Sequence, residues 1–124
     1  ETGGYYVEPT IFDNFDPQQK IAQEEIFGPV LSIFTFKDEA EAIELANSTC
    51  FGLAAYVATE NLGRAQRLGR GLNAGTVKII GTSTPSGGGV EMGLEPQKES
   101  GFGVEGGLPG LAAYTVSSTV YVLT

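Results

Sequence analysis

Apolar and polar positions fall into blocks along this chain. "VLSIFTF" (Val30 to Phe36) is nearly continuous in apolar and β-favouring residues, which predicts a strand covered on both faces. In "DEAEAIELANS", Ala42, Ile43, Leu45 and Ala46 share one helical face and Glu39, Glu41 and Glu44 the other. Asp38 is placed to cap that helix, with Glu41 three residues on in a capping-box-like spacing. "FGLAAYVAT" restarts a strand after Gly52. Asn61 is placed to cap "LGRAQRLGRGL", whose stripe is Leu62, Ala65, Leu68 and Leu72; Gly63, Gly69 and Gly71 weaken this helix. "AGTVKII" is the next strand. The order is strand, helix, strand, helix, strand. Crossovers of this length predict an α/β fold with a parallel sheet segment, joined right-handedly. "YYVEPTIF" near the start is strand-like, "LPGLAAYT" predicts a short helix, and "YTVSSTVYVL" alternates as a last strand. Residues 81–100 carry neither period, which predicts a functional or disordered loop.

Composition narrows the function classes. The 124 residues suit one domain or part of one. Lys plus Arg total 7 against 15 Asp plus Glu, a net charge of -8, which argues against nucleic acid and against an anionic membrane surface. No run approaches the roughly 18 apolar residues of a membrane span. No basic stretch followed by an apolar one opens the chain, so no retained secretory signal is expected. The single Cys50 cannot form an intrachain disulfide, which points to a reducing, cytoplasmic setting. With no histidine, a histidine base and histidine metal ligands are excluded, and no metal site is expected. The first residue is Glu1 rather than Met and stands close to a strand-like run, so a piece of a longer chain is expected.

Four features invite chemistry. "GFGVEG" (Gly101 to Gly106) matches a dinucleotide pattern, but that pattern needs a strand before it and a helix after it, and "EPQKES" reads as no strand. The bland alternative is a flexible turn. Cys50 has Ser48, Thr49 and Phe51 beside it and no histidine to activate it, so a half-buried residue at a helix end is the stronger reading. Arg64, Arg67 and Arg70 recur every three residues, as an anion site or as a solvated face; the net acidity favours the latter. Glu24 and Glu25 precede Ile26, Phe27 and a Gly-Pro turn. A carboxylate there can accept hydrogen bonds from a sugar diol while Phe27 packs against a flat ring.

"YYVEPTIF", "IAQEEIFGPVLSIFTFKDEAEAIELAN", "FGLAAYVAT", "NAGTVKII", "KESGFG" and "GLAAYTVSSTVYV" occur in this order, and together the chain resembles the C-terminal part of the aldehyde dehydrogenase superfamily. The resemblance implies an NAD- or NADP-dependent parent enzyme that oxidises an aldehyde to a carboxylic acid. It implies that Glu25 holds the nicotinamide ribose hydroxyls and that Phe27 packs near the nicotinamide. It places the catalytic cysteine, the general-base glutamate and the cofactor domain upstream, leaving no catalytic residue in this chain. Residues 1–113 would be a catalytic-domain segment and 114–124 an oligomerisation strand. The partners implied are the remainder of the parent enzyme and a second copy through residues 114–124. The chain departs from the family at "GLEPQKESG", where Leu94 stands for a common aromatic and Pro96 for a glycine. It departs also at Lys78, Ile80 and Val104. A second expectation is a non-enzymatic interaction module that pairs through its terminal strand.

Overall fold

Two short β-favouring runs pair near the start of the chain. Strand β1 (Thr10–Phe12) is followed by a single helical turn, α1 (Lys20–Gln23), and then by strand β2 (Val30–Ser32). The strands are parallel, with Thr10 opposite Val30, Ile11 opposite Leu31 and Phe12 opposite Ser32. The computed structural model describes residues 3–81 and 93–124. These fall into two compact units, Glu1–Cys50 and Phe51–Thr124.

The first unit closes with helix α2 (Glu39–Asn47). Its start is as the sequence dictates: Asp38 Oδ1 accepts from the Glu41 N–H at 3.0 Å. Glu41 Oε2 in turn accepts from the Lys37 N–H at 2.7 Å, one residue before the cap, so two donors at the helix entrance are satisfied. Three rings gather inside this unit. Phe15 lies edge-on to Phe12 at 6.4 Å and tilted against Phe34 at 4.7 Å between centroids. No described residue of the unit is fully buried. Leu31, Ile33 and Phe36 are exposed, so the run Val30 to Phe36 is not covered on both faces by the described residues. Its ladder also ends at Ser32, because β1 offers only three residues to pair with.

The second unit is built on strands β3 (Phe51–Gly52) and β4 (Ala54–Ala58), helix α3 (Leu62–Gly71), strands β5 (Thr76–Ile80) and β6 (Gln97–Lys98), and helix α4 (Gly107–Ala112). Strands β4 and β5 are parallel in register from Ala54–Thr76 to Ala58–Ile80, joined through α3 as expected of a β-α-β crossover. Asn61 Oδ1 caps α3 by accepting from the Arg64 N–H at 2.9 Å. Of the predicted stripe, Ala65 and Leu68 are the buried hydrophobic residues, each 8% exposed, whereas Leu62 lies open.

Residues 81–100 are read as irregular from sequence; 82–92 lie outside the described residues. Beyond them the chain is more regular than its pattern suggests. Strand β6 pairs antiparallel with β3, Phe51 opposite Lys98 and Gly52 opposite Gln97. Leu94 and Glu105 exchange both backbone hydrogen bonds, at 2.7 and 3.0 Å. The Ser100 hydroxyl accepts from the Gly52 N–H at 2.9 Å. These bonds run between backbone atoms and one hydroxyl, which no hydrophobic period announces. The seat for this segment is made by glycine: a Cβ on Gly75 would overlap the Glu95 carbonyl oxygen, and one on Gly52 would lie 2.9 Å from the Asn73 carbonyl oxygen. Residues 115–124 are exposed and belong to no ladder among the described residues. A β-favouring sequence becomes a paired strand only where another edge meets it.

Candidate functional site

The loop from Glu24 to Pro29 joins α1 to β2, and all six residues are exposed. At its first end, the Glu24 N–H donates to the Lys20 carbonyl at 3.0 Å and closes the α1 turn. At its second end, the Thr10 N–H donates to the Pro29 carbonyl at 2.9 Å, which starts the β1–β2 ladder. Val30 N–H also donates to the Gly28 carbonyl at 2.8 Å, so the backbone reverses tightly across Gly28-Pro29.

The reversal places an unusual demand on Phe27. Its φ is 54°, in the left-handed region that a bulky side chain seldom occupies. Gly28 precedes proline and is therefore pushed toward extended conformations, so the left-handed residue of the turn falls on Phe27. The Phe27 ring stands 92% exposed. The two glutamates differ. Glu24 pairs with Lys20 at 3.5 Å, whereas Glu25 forms no ion pair among the described residues. An unclaimed carboxylate and an outward ring thus stand two residues apart on a turn fastened at both ends.

The other candidates separate from this loop. Cys50 is half-buried and forms no disulfide. Arg64, Arg67 and Arg70 lie on the exposed side of α3. In "GFGVEG", Gly101, Gly103 and Gly106 have φ of 135°, 89° and 80°. The preceding strand is the two-residue antiparallel β6 and the following helix α4 has six residues, so the parallel strand-to-helix setting of a dinucleotide turn is absent there. A groove of about 290 Å³ in the first unit is lined by Asp13, Phe15, Phe34, Glu41 and Leu45 among others, with none of the residues 24–29. Among the described residues no group of three or more His, Cys, Asp or Glu is placed to hold a metal, and no helix is long and apolar enough to cross a membrane. Reading from sequence missed the α1 turn and the left-handed Phe27. The Gly-Pro pair was the one signal for the latter.

Parallel strand pairs with helical crossovers, carrying an exposed Glu-x-Phe turn ahead of a strand, define a segment of an α/β protein. The chain belongs to the aldehyde dehydrogenase family, whose model matches residues 1–120. It is 47% identical over 123 residues to an aldehyde dehydrogenase of Emericella nidulans, covering 95% of this chain and 23% of that one. It is 46% identical over 120 residues to a betaine aldehyde dehydrogenase of Brucella anthropi, covering 96% of this chain and 24% of that one. Among solved structures it is similar to a mutant indole-3-acetaldehyde dehydrogenase of P. syringae in complex with NAD+ and IAA. There the TM-score is 0.81 at 46% identity, over 90% of this chain and 22% of that one. The chain therefore spans about a quarter of the length of the curated relatives it matches.

Proposed function

We propose that this chain is a segment of an NAD(P)-dependent aldehyde dehydrogenase, and that its loop Glu24–Pro29 holds the nicotinamide ribose end of the cofactor. The observation that carries the reading is the exposed Glu25 carboxylate, free of ion pairs among the described residues, two positions before an outward Phe27 ring. A carboxylate offers acceptor sites for both hydroxyls of a ribose, and a flat apolar ring suits the face or edge of a heterocycle. The residues fit that group. The cofactor supplies the hydride acceptor when bound; Glu25 orients its sugar and Phe27 limits where its ring can lie. The solved relatives in complex with NAD+ support this assignment.

Within these residues no group performs the covalent step. The reaction of the whole enzyme, oxidation of an aldehyde to an acid, draws its thiol and its base from elsewhere in the parent protein. The remainder of that enzyme is the partner of residues 1–113. Residues 114–124 serve association with a second copy, and a cytoplasmic setting fits the lone Cys50. The relatives that match are enzymes by name, which leaves the interaction-module reading without support.

The test is Glu25→Gln in the full-length enzyme that carries this segment. The shape is kept and the charge-assisted bonds to ribose are lost, each worth about 1.5–3 kcal/mol, so KM for NAD+ should rise by ten-fold or more, on the order of that energy. Tm should not move. Glu24→Gln, which removes only a solvent-exposed pair with Lys20, should leave KM nearly as it was. Unchanged kinetics with a lowered Tm in Glu25→Gln would make Glu25 a structural residue and end the reading.

A further inference from the structure

A left-handed phenylalanine persists only where its surroundings over-determine it. The backbone bonds at the ends of the Glu24–Pro29 loop hold each end to its own element: Glu24 to α1 and Pro29 to β1. They do not fix α1 against β2, and the separation of those two elements sets the span the six residues must bridge. Two side chains outside the loop act on that span. The Ser32 hydroxyl, on β2, donates to the Ile21 carbonyl of α1 at 3.3 Å. Ile21 is the second residue of a four-residue helix, and the last four carbonyls of a helix lack intrahelical partners, so Ser32 satisfies a group that α1 itself leaves open. The Gln23 Nε2 donates to the Pro17 carbonyl at 2.7 Å and ties the last residue of α1 back to the segment that leads into it. All four residues, Pro17, Ile21, Gln23 and Ser32, are half-buried.

We propose that Ser32 and Gln23 are positioning residues of the cofactor loop: the Ser32 hydrogen bond locks β2 to α1, the Gln23 hydrogen bond fixes the end of α1 on the segment that leads into it, and together they hold Phe27 left-handed and Glu25 toward the ribose. This rests on the cofactor reading of Glu25 and Phe27. Without the two tethers α1 is free to turn against β2, the loop gains slack, and Phe27 relaxes to an ordinary φ. The cofactor must then reorder the loop on binding, which lowers its apparent affinity without touching the reacting groups.

The experiment uses the full-length enzyme containing this segment, with Ser32→Ala, Gln23→Ala, the double variant, and Ser32→Thr, which keeps a hydroxyl. NAD+ is the probe, in kinetics and in direct binding; hydrogen exchange of the Ile26 and Phe27 amides is followed in the cofactor-free enzyme. Each lost bond should raise Kd and KM for NAD+ by roughly fivefold, with kcat and aldehyde KM unchanged. Amide exchange at Ile26 and Phe27 should quicken, and Ser32→Thr should behave as the parent. If the double variant binds NAD+ and exchanges as the parent does while Glu25→Gln still weakens binding, the tethers are irrelevant and the proposal is overturned, with the cofactor reading intact. A fall in Tm with NAD+ affinity unchanged overturns it as well, in favour of a purely structural role. If Glu25→Gln itself leaves NAD+ binding untouched, the cofactor reading fails and the proposal falls with it.

Discussion

A methyl group added at Gly75 and one added at Gly69 meet opposite neighbourhoods. At Gly75 it would overlap the Glu95 carbonyl oxygen, a backbone atom that cannot rotate away. At Gly69, inside α3, it would sit 3.8 Å from Ile79 Cδ1, an ordinary packing distance. Gly69→Ala should therefore stabilise a full-length enzyme carrying this segment by up to about 1 kcal/mol, through helix propensity and the lost freedom of the unfolded chain. Gly75→Ala should lower Tm sharply or abolish the soluble protein. Thermal denaturation of the two variants side by side decides it, and equal shifts would show that the backbone seat at Gly75 has been misjudged. The same scale marks a limit of reading from sequence. Glu25 and Phe27 stand out by residue type, but the left-handed φ of Phe27 does not, because no intrinsic preference of phenylalanine points there.

Elements were legible where a side chain announces a boundary. Asp38 and Asn61 are short polar residues ahead of periodic runs, and both accept the expected bond from the third residue of the helix. Asp38→Ala and Asn61→Ala should each cost about 1 kcal/mol of stability, seen as a lower Tm, with faster exchange of the Glu41 or the Arg64 amide respectively. An unchanged amide in either variant would mean that the cap is dispensable there. Elements without such a signal were not legible. Helix α1 has four residues, too few to show a 3.6-residue period, and its hold on β2 comes from Ser32, eleven residues after Ile21. Strand β6 has two residues and pairs with β3, whose partner is set by backbone contact across the chain and not by apolar alternation. The parallel β4–β5 pair was legible because two five-residue β-rich runs flank a capped helix. The run after Tyr114 reads as a strand in sequence, and its residues pair with no edge among the described residues.

At the scale of the molecule, the described residues leave many large apolar side chains open. Ile11, Leu31, Tyr56 and Leu108 are all exposed, and in the C-terminal run Val116 and Leu123 are 95% and 96% exposed. Surfaces of this kind are covered in a stable protein. The isolated 124-residue chain should therefore self-associate. Removing residues 114–124, or placing Lys at Val116 and Val120, should shift it toward monomer or toward unfolding. Light scattering across a concentration series reads the outcome. A folded monomer of the intact chain at tens of micromolar, on the order of the concentrations at which exposed apolar species aggregate, would show that the terminal run and the open faces need no cover.

The seat of Glu95 on Gly75 has a consequence for how sequences of this kind are compared. The joint is written almost wholly in main-chain atoms: the Glu95 carbonyl against Gly75, both backbone groups of Leu94 against Glu105, and the β3–β6 pair. Main-chain donors and acceptors are the same for every residue but proline, and none of these bonds calls on the N–H that Pro96 lacks. Leu94 and Pro96, two of the positions read from sequence as departures from the family pattern, can therefore differ in side chain while the joint stays closed. An alignment that scores side chains will grade "GLEPQKESG" as divergent and Gly75 as unremarkable. The geometric restriction is distributed the other way round: it rests on one hydrogen atom at Gly75, and the divergent stretch inherits its course from it.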